Sequence, residues 1–494
     1  MNRRRVLLLA AFAAALGIRL IPIPRVFTIA YVNFQGDSWY HMRRVDALVT
    51  DLTQGITSDP YAANQFIAIA PLLDLIMAAL VRVFGGGANA MRADMVAALV
   101  PPLLGAAVVF PVFGIARRAF GDVAGIWAAF SVALLPGTFL QRSIVGYTDH
   151  HVLEVLTTTL AAWALVEAGT RRGAASLAWG VLGGVFVGCY NLSWSGAAFF
   201  SGALMLWLAL DAATRLLNPG ADSMTVPKAF AAAASVGWLM VAALQNPGLP
   251  RASMQRAALA ATAGLSISLW ILGRAVQGFR RSRPALVVLL LAGAGLGILL
   301  LARQTPNLGA VIDQASVILR GQGSAEVAET KPLGDVFPNE PLRAVVLFGG
   351  TGLFGLLAWP IVAARLLRLP NLGGAFVVSF SLLAFGATWG QNRFGYYATV
   401  PLALLSGFFL DAATTRIARA AASRFSRMSG LAIPLVAALF FVPNASLVRA
   451  WLSMDEGMPV GWHQAASWLR RNAPAAFDDP SVYSRPTRGV APSA

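Results

Sequence analysis

Apolar runs of about 20 residues recur along the whole chain, and no other feature restricts its fold as strongly. Of the 494 residues, 57% are hydrophobic and only 12% are charged, and the mean hydropathy is +0.66. This composition lies far from that of soluble domains. A helix of about 20 apolar residues is long enough to cross a bilayer. The sequence therefore predicts an all-α polytopic membrane protein.

Runs near this length predict about thirteen transmembrane spans. The first run follows the basic head MNRRR and is predicted to be a retained helix rather than a cleaved signal peptide, because apolar residues continue through Ile21. The thirteen spans are placed at about 6–23, 95–115, 123–140, 152–169, 176–191, 194–210, 228–245, 256–273, 284–303, 343–365, 374–389, 394–411 and 430–447.

Basic residues occur in every second loop between these spans, as cytoplasmic loops require. With a cytoplasmic N-terminus, thirteen spans place the C-terminal tail outside a cell (inner) membrane, and only Arg251 and Arg256 fall on the wrong side. Because the net charge of +16 is spread over short loops, it does not indicate a nucleic-acid partner. The cytoplasmic basic residues are Arg3, Arg4, Arg5, Arg117, Arg118, Arg171, Arg172, Arg215, Lys228, Arg274, Arg280, Arg281, Arg283, Arg365, Arg368, Arg416, Arg419, Arg424 and Arg427.

Two predicted external loops, at about 24–94 and 304–342, are much longer than a connection needs, which is typical of functional loops. The first contains NQFIAIAPLLDLIMAALVRVF, which is predicted to form helices at the membrane interface. If it spanned the membrane, the alternation of basic loops would break. The second contains QGSAEVAETKPLGDVFPNEP, whose glycines, prolines and mixed charges favour a segment partly disordered without substrate.

Candidate metal ligands gather in two short patches on the predicted external side. Asp37 lies in GDSWYH, and Asp149, His150, His151 and Glu154 lie in GYTDHHVLEVL. Carboxylates and imidazoles are ligands for divalent cations. An extended backbone before the helix directs the side chains of Asp149 and His151 to the same face, so one metal ion could bind both. The alternative is that the two aspartates cap helices.

Other candidate residues stand near the predicted membrane boundary. Arg393, in WGQNRFGYY, could hold a lipid phosphate through its planar fork or could simply reach the headgroups. Tyr190 and Trp194, in GCYNLSWSGA, could line a pocket or belong to an interfacial aromatic belt. Glu329, in AEVAETKP, is a loop carboxylate for which simple solvation is the alternative.

In their order, the motifs GDSWYH, GYTDHH, AETKP and NRFGYY resemble those of the catalytic subunit of oligosaccharyltransferase, especially its single-subunit archaeal and bacterial forms. The resemblance covers essentially the whole chain and implies a glycosyltransferase of the GT-C membrane fold. Such enzymes transfer an oligosaccharide from a polyprenyl phosphate or pyrophosphate carrier to the asparagine of an Asn-X-Ser/Thr sequon in an acceptor protein.

The resemblance also implies roles for individual residues. Asp37 would bind the metal and contact the acceptor amide, and Asp149 and His151 would complete a site for Mn²⁺ or Mg²⁺. Glu329 would help hold the amide, and Arg393 would contact the carrier phosphate. His150 and Glu154 remain further candidates beside the metal ligands.

The tail at 451–494 departs from the family pattern. It resembles the start of the family's soluble domain, but the Trp-Trp-Asp-Tyr-Gly string that reads the sequon hydroxyl is absent from the sequence. We therefore expect a transmembrane catalytic domain at 1–450, a short external remnant after it, and a separate soluble subunit as one way to supply the missing recognition.

Two other functions fit parts of the pattern. A related GT-C enzyme could use a polyprenyl-phosphate sugar to glycosylate a lipid, a polymer or a hydroxyl group. A transporter or flippase of lipid-linked glycans would need charges within the membrane, whereas the candidate residues here cluster at one face.

Overall fold

Helices dominate the structure, a computed structural model, which confirms the predicted all-α fold. It describes residues 3–29, 31–50, 58–59, 65–66, 70–85, 90–218, 225–245, 251–276, 306–321, 328–336, 347–424 and 432–473. Among these residues the one sheet is a two-residue antiparallel pair of β1 (Ser58–Asp59) and β2 (Gln65–Phe66).

The N-terminal part of the chain alternates short helices near the first loop with longer ones. Its helices are α1 (Arg3–Leu20), α2 (Ile23–Val26), α3 (Ser38–Thr50), α4 (Leu72–Phe84), α5 (Ala90–Ala98), α6 (Val100–Ala107), α7 (Val109–Phe120), α8 (Asp122–Ala133), α9 (Thr138–Gln141), α10 (His151–Gly169) and α11 (Gly173–Ser193).

The second part of the chain contains mostly long helices. They are α12 (Ala198–Leu217), α13 (Thr225–Leu244), α14 (Ala252–Val276), α15 (Pro306–Leu319), α16 (Leu333–Val336), α17 (Gly349–Arg368), α18 (Leu372–Gly390), α19 (Gly395–Arg424), α20 (Ala432–Ser453) and α21 (Val460–Asn472), with 3₁₀ turns at Ala328–Thr330 and Asn392–Phe394.

Ten helical segments of the described chain are long and apolar enough to cross a membrane, and each coincides with a predicted span. The predicted span at about 284–303 lies outside the described residues. The one at about 123–140 is the 12-residue α8, which ends before Pro136 and Gly137, where φ is +114°. The one at about 194–210 is α12, which carries the buried pair Asp211 and Arg215. A count of thirteen spans therefore stays a prediction.

The two long loops contain more regular structure than their sequences indicated. The apolar part of the first loop forms α4, whose 13 residues extend roughly 20 Å and are too short to cross about 30 Å of hydrocarbon. The second loop begins with the 14-residue α15. Residues 322–327 and 337–346 lie outside the described residues, so partial disorder of this loop stays a prediction.

Chain direction brings the candidate residues to one end of the helical bundle. Helices α10 and α19 begin at this end, and α11 ends there, because the Tyr190 hydroxyl on α11 lies 2.7 Å from the Tyr397 hydroxyl on α19. At the other end Arg118 of α7 pairs with Glu167 of α10 at 2.7 Å, and Arg4 of α1 pairs with Asp122 at 3.1 Å. The ion pairs of Arg4 and Arg118 therefore mark the end of the bundle opposite the candidate site.

Close helix packing holds this bundle together through a glycine face on α11. A Cβ atom built at Gly180 or Gly184 would lie 2.8 Å or 2.7 Å from the backbone oxygens of Ala229 and Ala233 on α13. Small residues at every fourth position allow helix backbones to approach this closely. The helix that carries Tyr190 to the site is therefore positioned by backbone contact with α13.

We expect Gly184→Ala to destabilise the bundle, because the added methyl group meets backbone rather than a movable side chain. The cost of such overpacking is about 1–3 kcal/mol. The matched control is Gly264→Ala on α14, where nothing lies within 4 Å of the added Cβ. Thermal unfolding in detergent should show a lower midpoint for Gly184→Ala alone; equal midpoints would contradict the packing described here.

Candidate active site

A buried aspartate at the start of α10 is surrounded by three imidazoles. Asp149 is only 3% exposed. Its Oδ1 lies 2.6 Å from His150 Nδ1 and 3.4 Å from His41 Nε2, and its Oδ2 lies 3.3 Å from His151 Nε2. Burial alone would raise the pKa of Asp149, but the neighbouring imidazoles hold it well below its usual range. The carboxylate is therefore kept ionised inside the protein.

His41 connects this aspartate to a second buried carboxylate. It lies on α3, and its Nδ1 is 2.7 Å from Asp74 Oδ1 on α4. Arg44, one turn further along α3, pairs with Asp74 Oδ2 at 2.7 Å. Burial would lower the pKa of His41, but the two carboxylates beside it raise that pKa to about 10. The packing of α3 on α4 thus places an aspartate–histidine pair against Asp149.

On the other side of Asp149, His151 contacts a buried glutamate. Its Nδ1 lies 3.0 Å from Glu154 Oε1, one turn further along α10. Glu154 is fully buried, and its Oε2 accepts hydrogen bonds from the hydroxyls of Tyr396, at 3.1 Å, and Tyr397. The Tyr397 hydroxyl also pairs with that of Tyr190. The tyrosines of α11 and α19 therefore orient the carboxylate that contacts His151.

These groups fit a divalent cation. The described residues contain two sets of three possible ligands, and within each set the ligand atoms lie within 4.8 Å of one another. The first set is His41, Asp149 and His150, and the second is His150, His151 and Glu154. His150 belongs to both sets, and its Nδ1 already lies 2.6 Å from Asp149 Oδ1. Imidazole-rich sets suit transition-metal ions better than Mg²⁺.

Asp37 belongs to neither set. It is exposed where α3 begins, and its carbonyl accepts hydrogen bonds from the amides of Tyr40 and His41. Burial raises the pKa of Glu456; Arg142 and Gln141 oppose this shift, while the charges of Glu329 and, to the smallest extent, Asp37 add to it. The place of Asp37 in a metal site therefore stays a prediction, and no described contact brings it to Asp149.

A segment after α20 holds the loop of Asp37 in place. Gln35 Nε2 donates to Asp455 Oδ1 at 3.2 Å, and the Met458 amide donates to Asn33 Oδ1 at 3.0 Å. Glu456 Oε1 in turn accepts from Gln141 Nε2 at 2.6 Å. Residues 454–458 thus bridge the first loop and α9.

Glu329 is held at the same end by an arginine that sequence analysis did not single out. Arg142 Nη2 lies 2.6 Å from Glu329 Oε2, and the arginine is buried while the glutamate side chain is 51% exposed. The Asn392 amide donates to the Lys331 carbonyl at 3.0 Å, which joins the turn of Glu329 to the turn of Arg393. The Glu329 carboxylate is therefore held through Oε2, while about half of the side chain remains exposed.

Arg393 and the aromatic residues form the wall beside this pair. Arg393 is half-buried, lies 5.2 Å from the Phe394 ring, and its Nε makes no hydrogen bond within the described residues. The Trp194 ring packs 6.2 Å from Phe394 and 6.3 Å from Tyr190. Tyr190 is fully buried, so it supports the wall from behind rather than lying in an interfacial belt.

Sequence reasoning missed Asp74 and Arg142 and gave His41 no role. A signal for Asp74 was available, since an aspartate inside the apolar run PLLDLIM is costly to bury without a partner. His41 was in the same patch as Asp37, but helical spacing alone does not say that it faces Asp149. Arg142 gave no signal, because its partner Glu329 is 187 positions away.

Comparisons with known proteins agree with the motifs. The family profile "Oligosaccharyl transferase STT3, N-terminal" matches residues 7–273. A curated relative from Archaeoglobus fulgidus, dolichyl-phosphooligosaccharide-protein glycotransferase 3, is 26% identical over 95% of this chain and 58% of its own length. A second, dolichyl-monophosphooligosaccharide–protein glycotransferase AglB from Haloferax volcanii, is 31% identical over 44% of this chain and 23% of its own length.

Solved structures share the fold. The archaeal oligosaccharyltransferase AglB from Archaeoglobus fulgidus, in complex with an inhibitory peptide and a dolichol-phosphate, superposes with a TM-score of 0.86 at 22% identity. The match covers all of this chain and 61% of that one. The chain thus spans about three fifths of the length of these Archaeoglobus relatives. The family profile covers more than half of the sequence, and the chain belongs to the oligosaccharyl transferase STT3 family.

Proposed function

We propose that the chain catalyses metal-dependent transfer of an oligosaccharide from a polyprenyl (pyro)phosphate carrier to an asparagine of an acceptor protein. The observation that carries the proposal is the convergence of the Asp149 imidazole cluster and the fixed Glu329–Arg142 pair at one end of the bundle. Family membership supplies the reaction class, and the Archaeoglobus relative was solved in complex with an inhibitory peptide and a dolichol-phosphate.

The donor would lie between the metal cluster and Arg393. Asp149 and His151 would hold the ion, with Asp37 as the family-implied third ligand. When bound, a divalent cation neutralises charge on the phosphate leaving group. Imidazole nitrogens favour Mn²⁺ over Mg²⁺ here, and an Archaeoglobus relative was solved with Zn and sulfate. The guanidinium of Arg393 would donate to the same phosphate.

The acceptor amide would lie between Asp37 and Glu329. An amide nitrogen is a poor nucleophile because its lone pair is delocalised, so both carboxylates would accept its N–H groups and orient it towards the sugar. Because Arg142 already holds Glu329 in place, this carboxylate would lose little conformational freedom when the acceptor binds. The bond from the sugar carbon to the phosphate oxygen would break as the bond to nitrogen forms; the carrier would leave with the (pyro)phosphate, and one of the two carboxylates would take the proton that the nitrogen loses.

The distribution of arginines supports one orientation of the chain in the membrane. The arginines at the end opposite the site, among them Arg118 and Arg171, are typical of a cytoplasmic face. The site would then open to the outer face of the cell membrane, where carrier and acceptor meet. An Asn-X-Ser/Thr acceptor is suggested by the relative tethered to a peptide with an NVT sequon.

The central test is an assay with purified protein, a lipid-linked oligosaccharide, Mn²⁺ and an Asn-X-Thr peptide. Glycopeptide should form and should disappear with a chelator. If the same protein glycosylates lipid or hydroxyl acceptors but never the peptide, the function is that of another GT-C transferase.

We expect Glu329→Gln to lower kcat/KM for the peptide roughly 100-fold, the usual loss when one positioned electrostatic group is removed. Donor binding should not change, because the phosphate contacts lie on Arg393 and the metal cluster. Asp335→Asn, an exposed carboxylate six residues further along, is the matched control. Wild-type kinetics in Glu329→Gln would remove this residue from acceptor binding.

Asp149→Asn should weaken Mn²⁺ binding at least about 100-fold, because a neutral amide replaces the ionised oxygens that the imidazoles surround. Calorimetric titration of the purified protein measures this directly. Asp122→Asn, an exposed aspartate at the arginine-rich end, should leave the affinity unchanged. Equal affinities in the two variants would place the metal elsewhere.

A further inference from the structure

Each oxygen of Asp149 faces the Nε2 atom of one imidazole, and Oδ1 is also contacted by His150 through its amide and its Nδ1, both at 2.6 Å. At Oδ2, His151 presents Nε2 at 3.3 Å while its Nδ1 contacts Glu154 at 3.0 Å. At Oδ1, His41 presents Nε2 at 3.4 Å while its Nδ1 contacts Asp74 at 2.7 Å. Each imidazole is therefore turned towards the same carboxylate and is fixed from behind by another one.

This arrangement is how histidines are prepared for metal binding. A ligating imidazole usually gives its second ring N–H to a carboxylate, which fixes its tautomer and orientation. The family motifs assign His151 as a ligand, and His41 repeats its geometry on the other oxygen. Beyond the roles implied by those motifs, we propose that His41 binds a divalent cation at Asp149 through Nε2 and that Asp74 is the positioning residue behind it.

Ligand spacing supports one ion at this place. The ligand atoms of His41, Asp149 and His150 lie within 4.8 Å of one another. Ligands about 2.1 Å from one ion are at most about 4.2 Å apart, so shifts of a few tenths of an ångström close the site. The His41 and His150 rings, with centroids 5.6 Å apart, approach from different helices.

Asp74 has no other evident purpose in its surroundings. It is fully buried near the start of α4, within the otherwise apolar run LLDLIMAALV. Its two oxygens contact only His41 and Arg44 among the interactions found in the described chain. Burying a carboxylate and an arginine is costly, and here both serve to fix one imidazole. A purely structural ion pair is the competing explanation, and it predicts no contact between His41 and the metal.

The proposal rests on the metal-dependent function proposed above, but its test needs neither donor nor acceptor. Mn²⁺ binding to the purified protein in detergent is followed by the electron paramagnetic resonance signal of free Mn²⁺. We expect His41→Ala and Asp74→Asn each to weaken binding about 10-fold to 100-fold. His463→Ala is the control, because that ring packs on Tyr31, outside both ligand sets.

A second variant separates ligation from mere support. His41→Cys should bind Cd²⁺ and give a thiolate-to-metal charge-transfer band in the ultraviolet, since a thiolate at a ligand position bonds a soft ion directly. The wild-type protein, whose single cysteine is Cys189, should give no such band. The variant also carries the test if His41→Ala fails to fold.

Unchanged Mn²⁺ affinity in His41→Ala, or Cd²⁺ binding to His41→Cys without the band, would overturn the assignment. A protein that binds Mn²⁺ through His41 yet makes no glycopeptide would refute the proposed function and leave this ligand in place.

Discussion

The contact between the Asp149 carboxylate and its three imidazoles is the interaction on which the site depends. A charge buried this deeply is stable only when partners compensate for lost hydration. Asp149 recruits them from α3 and from α10 itself, while Asp74 and Glu154 stabilise the histidines from outside. The helices around the site are therefore bound to one electrostatic centre as well as to an apolar core.

This arrangement divides the site into a rigid half and an open half. His41, Glu154 and its tyrosines are buried, and the side chains of His150 and His151 are only 19% and 15% exposed, so the geometry of this half is largely set before any substrate arrives. Asp37 and much of Glu329 remain exposed on loop segments. Under the function proposed above, the rigid half would hold the ion and the constant phosphate group, and the exposed carboxylates would adapt to varied acceptor polypeptides.

Much of this could be read from the sequence, because bilayer-length apolar runs and scarce charges are local signals. Each span found in the described chain was predicted, and the patch around Asp149 was singled out for a density of ligand groups that the structure does bring together. The pairing of His41 with Asp74 could not be read, because it depends on how α3 packs on α4. Arg142 was missed for the same reason, since its contact with Glu329 spans 187 positions. The break after α8 was missed because apolar composition continued through Pro136 and Gly137.

The bridge formed by residues 454–458 bears on the order in which the protein matures. Gln35 and Asn33 find their partners 420 and 425 positions later. During synthesis the first loop lacks these contacts until α20, the last described span, has entered the membrane. Asp37 thus acquires its final surroundings only at the end of membrane insertion, so the fold delays completion of the site until the helices beneath it are in place.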